Sequence, residues 1–565
     1  MQMRNKIIQR INPTMRIHSV IKCLLAAVPM MAASVTGFAQ DTSKRKTIEI
    51  TSSFKPVLKE GSKINFNAAP PVADTSRPRL NYNIPAQNLL FTYQPTELKP
   101  VAVSVDTGTG WKSDNYIKLG FGNVHLPYVK AGFSFGDGQN TFYNIFAQHY
   151  SSKGDLPFQK NSHTSVGGAV TYKTQNNHEW NGSLGFKSED YFLYGYQPTT
   201  LVFTKDQLRQ RFQTVEGKVN FRNTVPTEFG LTYNPSLRVS VFADNHSPGI
   251  SEANAVLKVP VTKSFGETFA FNLGLTADLT NLRSDGRSLD QNNVFMVTPS
   301  VIAKTTNLYL NVGVIPSWDQ SEFHMLPNIM GELTTNDQRF TLMAGWLGYY
   351  EKGSYQRFAS INPWLRLYDT TTLLNDRVQE IYGGIKGSLG NHFTYLGKVG
   401  VQQHRNIPLF VNDVMDGKTF NVIYEPRIDI LQLHGEVAYT VSEKFSAKGA
   451  VTFNNFTRLK QNAKAYGMLP RELNVSLRYR LLKDLWVTSE LYSWDGPQYR
   501  NKNGTPSKGD AAFDFNAGAE FKVTKNFNLW IQLNNIFNNK YERWHQYEVF
   551  GFNILGGLTY SFNQK

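Results

Sequence analysis

The chain has 565 residues, a formal net charge of +15, 18% charged residues, 13% aromatics and 43 glycines. Mean hydropathy is −0.37, and beyond the N-terminus no apolar run reaches the ~18 residues of a membrane helix, which excludes transmembrane helices. Cys23 is the only cysteine, so a cysteine nucleophile, a cysteine metal site and a disulfide are excluded as well.

The N-terminus reads as a secretion signal. Arg16, His18 and Lys22 precede the apolar stretch Cys23 to Val35, and Gly37-Phe38-Ala39 supplies a small-x-small cleavage site. Residues 1–39 are therefore expected to be removed, with either Met1 or Met15 as the start. They carry Arg4, Lys6, Arg10, Arg16 and Lys22 and no acid, so the mature charge is near +10 (15 − 5). The remaining Lys and Arg are scattered rather than clustered, with no nucleic-acid recognition motif. They suit a basic lumen, contacts with outer-membrane lipid, or simply a solvated surface.

Residues 40–112 read as a periplasmic, proline-rich arm: Pro56, Pro70, Pro71, Pro78, Pro85, Pro95 and Pro100 oppose continuous helices or strands. Thr47-Ile48-Glu49-Ile50-Thr51 is a short β-prone run within it.

From residue 113 to 565 strand-like runs alternate with turns, the first being Tyr116 to Gly122. Tight turns rich in Gly, Asn and Asp occur at 136–140, 174–177, 304–307, 334–337, 390–391, 442–444 and 483–484. Long polar connections fall at 151–161, 188–210, 349–376, 404–418, 456–470, 494–510 and 538–550. Near the end, Phe513, Phe515, Ala517, Ala519 and Phe521 alternate with polar residues or glycine. Phe527, Leu529, Ile531 and Leu533 do so again, and Phe552, Ile554, Gly556, Leu558, Tyr560 and Phe562 close the chain in the same rhythm. Period-two strands joined alternately by tight turns and long loops predict an all-β fold, a single antiparallel transmembrane β-barrel with an apolar outside and a polar inside. The runs count to about 22 strands, with 14–18 longer ones as the alternative, because 222–235 and 348–376 are ambiguous. Aromatics near strand ends, including Tyr143, Phe186, Tyr191, Tyr194, Trp346, Tyr492 and Trp494, suit interfacial girdles.

The catalytic inventory is sparse. No nucleophile elbow is present, and the eleven histidines form neither His-x-x-x-His nor His-Glu-x-x-His pairs. Asp285, Asp290 and Asn292 could touch calcium but lack the spacing of a calcium loop, and His545 reads as a surface residue. No enzyme activity, cofactor or metal is expected.

Asn534-Asn535-Ile536-Phe537-Asn538-Asn539-Lys540-Tyr541 resembles the N-L-F-(D/N)-x-x-Y signature that precedes the last strand of TonB-dependent receptors, and Leu555 to Phe562 resembles their closing strand. The resemblance is specific over 471–562; Asn563-Gln564-Lys565 depart from it by following the last aromatic. It implies a Gram-negative outer-membrane location, closure of the barrel through Asn534, Asn535, Phe537, Tyr541, Tyr560 and Phe562, and recognition by the barrel assembly machinery. It also makes Thr47–Thr51 a candidate energy-coupling box, pairing with TonB as an added strand. The plug domain of that family is not recognisable in the roughly 65 residues between this box and the first strand. Transport of a solute across the outer membrane is the leading expectation. The alternative is a plugless scaffold whose arm docks another periplasmic or outer-membrane protein. A wide barrel must in either case be closed by its loops, its arm or a partner.

Overall fold

A computed structural model of the chain describes residues 114–563, except 246–248, 286, 338 and 368–371. The signal, the arm and the candidate box Thr47–Thr51 lie outside the described residues.

The described chain builds one antiparallel sheet of 23 hydrogen-bonded segments that closes on itself. Leu231–Tyr233 and Ser236–Asp244 are two pieces of a single stave, both paired to Ile250–Phe265, which makes the wall a 22-strand barrel. The break falls at Asn234-Pro235, where proline removes a ladder donor; this accounts for the ambiguity of 222–235 in the sequence. The ring is sealed by the first strand, Asp114–Gly122, against the last, Asn553–Asn563, in nine consecutive pairs from Asp114↔Asn563 to Gly122↔Leu555. Closure leaves no free sheet edge.

The period-two pattern becomes two faces. Leu529, Ile531, Leu558, Tyr560, Phe521 and Phe527 all point outward and stay exposed, as do Leu275, Val301, Val399 and Leu433 around the wall. Their inward neighbours include Lys118, Glu380, Gln402, Gln432 and Asn454. An apolar belt outside a polar lumen is the solution for backbone that must cross lipid with every ladder bond made internally. The molecule is an outer-membrane-type β-barrel.

One rim carries the tight turns, such as Gly136 to Thr141, where the Asp137 carboxylate accepts three backbone N–H groups. Both ends of the wall, Asp114 and Asn563, lie at this rim. The opposite rim carries the long loops, although four of its connections are short: Gly122 to His125, Asp244 to Ile250, Ser284 to Arg287 and Asp319 to Glu322, the last three in one sector. Loops from elsewhere fold over that sector, and this is where the molecule departs from a simple open barrel.

The inner wall near the loop rim is apolar. Phe212, Phe242, Ile250 and Leu282 pack with Tyr355, Phe358, Ala359, Leu365, Leu367 and Leu373 of the 352–375 loop, and with Phe410, Phe420, Trp544 and Tyr547 of two further loops. The stretch 348–376, ambiguous in the sequence, thus contains a strand end and a folded insert. Its helix α1 (Tyr355–Ile361) is capped by Ser354, whose hydroxyl accepts from Arg357 N–H at 3.1 Å. Tyr355, Phe358 and Ala359, at i, i+3 and i+4, form its buried face.

Candidate functional site: a capped lumen

The interior has two tiers. The outer tier is a cap made of loops. Its central loop leaves the wall at Glu351 and returns at Asp376, and strand side chains bolt it down along its length. Glu252 accepts the Tyr355 N–H at 2.5 Å, and the Tyr355 hydroxyl donates to Asp244. Asn292 donates to Gly353 O at 2.8 Å and exchanges side-chain hydrogen bonds with Asn375. Asp290 accepts the Leu373 N–H at 2.7 Å, and Gln210 donates to Leu365 O at 2.7 Å. Lys352 pairs with Asp278 at 3.2 Å. Gly353 is needed here because a Cβ would sit 2.0 Å from Leu374 O.

Two other inserts complete the cap. The hairpin Ile407–Asn412 with Phe420–Glu425 joins the first loop through Arg366 N–H to Phe420 O and Phe420 N–H to Trp364 O, at 2.9 and 3.0 Å. Its far side packs Leu409, Val411, Ile428, Ala465 and Tyr466 into a second small core. Glu425, at its end, accepts N–H groups from Lys460, Gln461 and Asn462 at 2.7, 3.0 and 2.7 Å. Burial alone would raise that carboxyl, but the backbone N–H groups of Asn462, Lys460 and Gln461 outweigh it and hold Glu425 below the usual carboxylate range. The second insert is the short hairpin Glu542–Trp544 with Tyr547–Glu548. Tyr547 stacks on Trp364 at 3.9 Å between ring centres, and its hydroxyl donates to Lys418 O.

The inner tier is polar. Lys398 pairs with the fully buried Glu380 at 2.6 Å, Gln432 donates to Asn454 at 3.0 Å, and Lys386 pairs with Glu332 at 2.7 Å. Below them a cavity of about 310 Å³ is bordered by Glu436, Lys448, Asn474 and Ser476, among others. Lys118 lies 4.3 Å from the Trp530 ring centre, inside the seam. Gly120 leaves room for that indole, since a Cβ would come within 2.6 Å of it.

Of the residues singled out near the last strand, Asn534, Asn535, Phe537 and Tyr541 lie in or beside its preceding loop, while Tyr560 and Phe562 lie at the opposite rim. Asn534 donates to Asn553 at 2.7 Å across the final strand pair. Asn535, buried and left-handed (φ 46°), donates to Asn539 O and Phe550 O and accepts from Asn539 N–H. The Tyr541 hydroxyl reaches Asp514 at 2.5 Å. Phe537 stays exposed beside Phe513 and Phe515, while Tyr560 and Phe562 stack outward at 5.5 Å. Asp290 and Asn292 are occupied in holding the cap, and His545 stacks on Tyr499 at 3.7 Å. No group of metal-ligating side chains occurs among the described residues.

The aromatic girdle divides. Tyr143, Phe186 and Trp346 are exposed on the outside. Tyr191 and Tyr194 instead join the cap, and Trp494 packs edge-on to Tyr541 at 5.1 Å. Alternation could not separate these roles, because the cap reuses the residue types of an interfacial belt. The cap residues themselves had no signal in the sequence: Tyr355, Phe358, Leu365 and Leu373 stand in segments without strand rhythm.

No family model and no curated protein sequence matches this chain. Solved structures do. The ferric enterobactin receptor PfeA of Pseudomonas aeruginosa superposes with a TM-score of 0.62 at 12% identity, over 80% of this chain and 82% of that one. The ferripyoverdine receptor of the outer membrane of the same organism matches with a TM-score of 0.59 at 11% identity, over 80% of this chain and 72% of that one. The fold is that of a TonB-dependent receptor barrel. At such identity the likeness is one of architecture, and the receptors' ligands remain theirs.

Proposed function

We propose that the protein is a gated outer-membrane transporter of the receptor type, in which the loop cap is the gate and the polar lumen is the path. The observation carrying this is the stacking of the two tiers: a cohesive apolar cap lies across the outer mouth, directly above a charged and amide-lined interior. Passive diffusion does not suit a mouth closed by a packed core, so opening needs either a bound solute or work delivered from the periplasm. Thr47–Thr51 is the segment proposed to receive that work by strand addition to TonB. A scaffold role is favoured by one feature, the mechanical coherence of the cap, which would give a partner a fixed outer surface.

Conductance in planar bilayers separates the readings. The mature protein is expected to be closed, and replacing 353–374 with a short Gly/Ser linker is expected to give a steady open pore. A wild-type protein that already conducts contradicts the gate. If the linker variant stays closed, the scaffold reading replaces transport. Deleting 41–52 is expected to abolish uptake of the cognate nutrient while the barrel still assembles.

A further inference from the structure

The outer face of the wall carries a row of charge that its apolar belt does not explain. In the neighbouring strands Asp376–Leu389 and Phe393–Arg405, Arg377 stands directly opposite Arg405. Both point outward, since Asp376, Val378 and His404 beside them are buried on the opposite face. Arg427 precedes Ile428, the partner of His404, and so extends the row toward the next strand. Like charges set opposite each other on one face of a sheet repel.

Other outward arginines near this rim are neutralised. Arg471 pairs with Asp495 at 2.9 Å, and Arg209 and Arg211 share Asp190 at 3.1 and 2.6 Å. Within the row Arg427 has Asp429 at 3.2 Å, but that carboxylate is shared with Arg458 at 3.0 Å. Arg377 and Arg405 make no ion pair among the described residues, and both remain partly exposed. Asp319 and Glu322, the acids whose fields reach Arg377, lie beyond ion-pair distance.

The height of the row is informative. Below the arginines Gln379 stands opposite Gln403, and below these Ile381 stands opposite Val401, exposed at 62% and 52% at the top of the apolar belt. From Ile381 to Arg377 the strand climbs roughly 13 Å, or about 10 Å along the barrel axis at a tilt near 40°. The headgroup layer outside the hydrocarbon is roughly 5–8 Å thick. A long arginine side chain anchored at its upper edge brings its charge into it.

We infer that Arg377 and Arg405, extended by Arg427, form a docking site on the outer wall for the phosphate of a lipid headgroup, whose acyl chains lie against the apolar rungs below. Two adjacent guanidinium forks offer paired N–H donors to a phosphate monoester, which ammonium groups do not. The occupant is a lipid rather than a free anion because the row faces sideways above the belt, where the membrane itself meets the wall. The inference uses only the outer-membrane setting, so it stands or falls separately from transport.

The test is titration of the mature protein, purified in neutral detergent, with diphosphoryl lipid A, phosphatidylcholine and inorganic phosphate, the bound molecules being counted by native mass spectrometry. Diphosphoryl lipid A is expected to be held about tenfold tighter than phosphatidylcholine and to resist displacement by millimolar inorganic phosphate. Arg377→Gln combined with Arg405→Gln should remove that preference, while the lipid-free melting temperature stays equal or rises because a like-charge pair is gone. Arg405→Lys keeps the charge but loses the fork, and should weaken lipid A about threefold. Arg471→Gln, at a neutralised position, should leave retention unchanged. If the double variant or Arg405→Lys holds lipid A as the wild type does, or if Arg471→Gln weakens it equally, the row is not the site. Displacement by inorganic phosphate would make it a free-anion site, and a wild type that does not prefer lipid A also overturns the proposal.

Discussion

The two tiers of the lumen are built from the same strands yet obey different rules. Near the loop rim the inward positions Phe212, Phe242 and Leu282 are almost fully buried, and they behave as the core of a soluble domain. Farther down, Phe146 lies between Gly132 and Gly167 on the face it shares with the Lys130–Gln148 pair, stays 47% exposed, and behaves as wall lining. The wall therefore supplies structure where the loops press on it and supplies only surface where they do not. Stability of the cap and stability of the barrel are separable quantities.

The sharpest way to break this contrast is a matched pair of substitutions. Tyr355→Ala should loosen the cap by about 3–5 kcal/mol, the usual cost of emptying an aromatic core position, whereas Phe146→Ala should cost less than about 1 kcal/mol. Protease cleavage within 353–374, followed against temperature, measures the first without unfolding the wall. Asn292→Leu comes next. It strands Gly353 O, while the Asn375 amide keeps the Gly353 N–H and Asp319 as partners, and should loosen the central loop at a cost of about 1–3 kcal/mol. Gly120→Ala tests the opposite tier. The added methyl meets Trp530, so the barrel, not the cap, should lose about 1–3 kcal/mol, seen as a lower temperature of heat modification on electrophoresis.

Acid sharpens the comparison further. Glu425 is held below its unfolded value, near 4.3, so its contribution is fully present above that pH and is lost as pH falls through the lower folded value. The segment 459–470 should become protease-accessible below about pH 4 while the wall remains closed, and Glu425→Gln should show the same accessibility at pH 7. The smallest effect belongs to Lys386→Ala. Its pair with Glu332 is partly exposed, and removing it should change melting by no more than about 1 kcal/mol.

The barrel was legible because its signal is periodic. Phe527, Leu529 and Ile531 announce an outer face whatever lies beyond them, and the tight turns at 136–140 and 442–444 mark hairpins by chemistry alone. The strand count of about 22 followed from that rhythm and failed to sharpen only where Pro235 breaks a stave and where the 352–375 insert interrupts the pattern. The cap was illegible because its contacts are long-range. Nothing local links Tyr355 with Asp244, or Trp364 with Tyr547, and each of these loops alone reads as polar connection.

The seam between Asp114–Gly122 and Asn553–Asn563 has a consequence for how the protein comes into being. The two strands that close the ring stand at opposite ends of the wall's sequence, so no partial chain has a sealed perimeter. A polypeptide truncated before Asn553 would present two bare hydrogen-bonding edges to lipid, which the bilayer does not tolerate. The perimeter can therefore be completed only by a chain that extends through Asn553–Asn563.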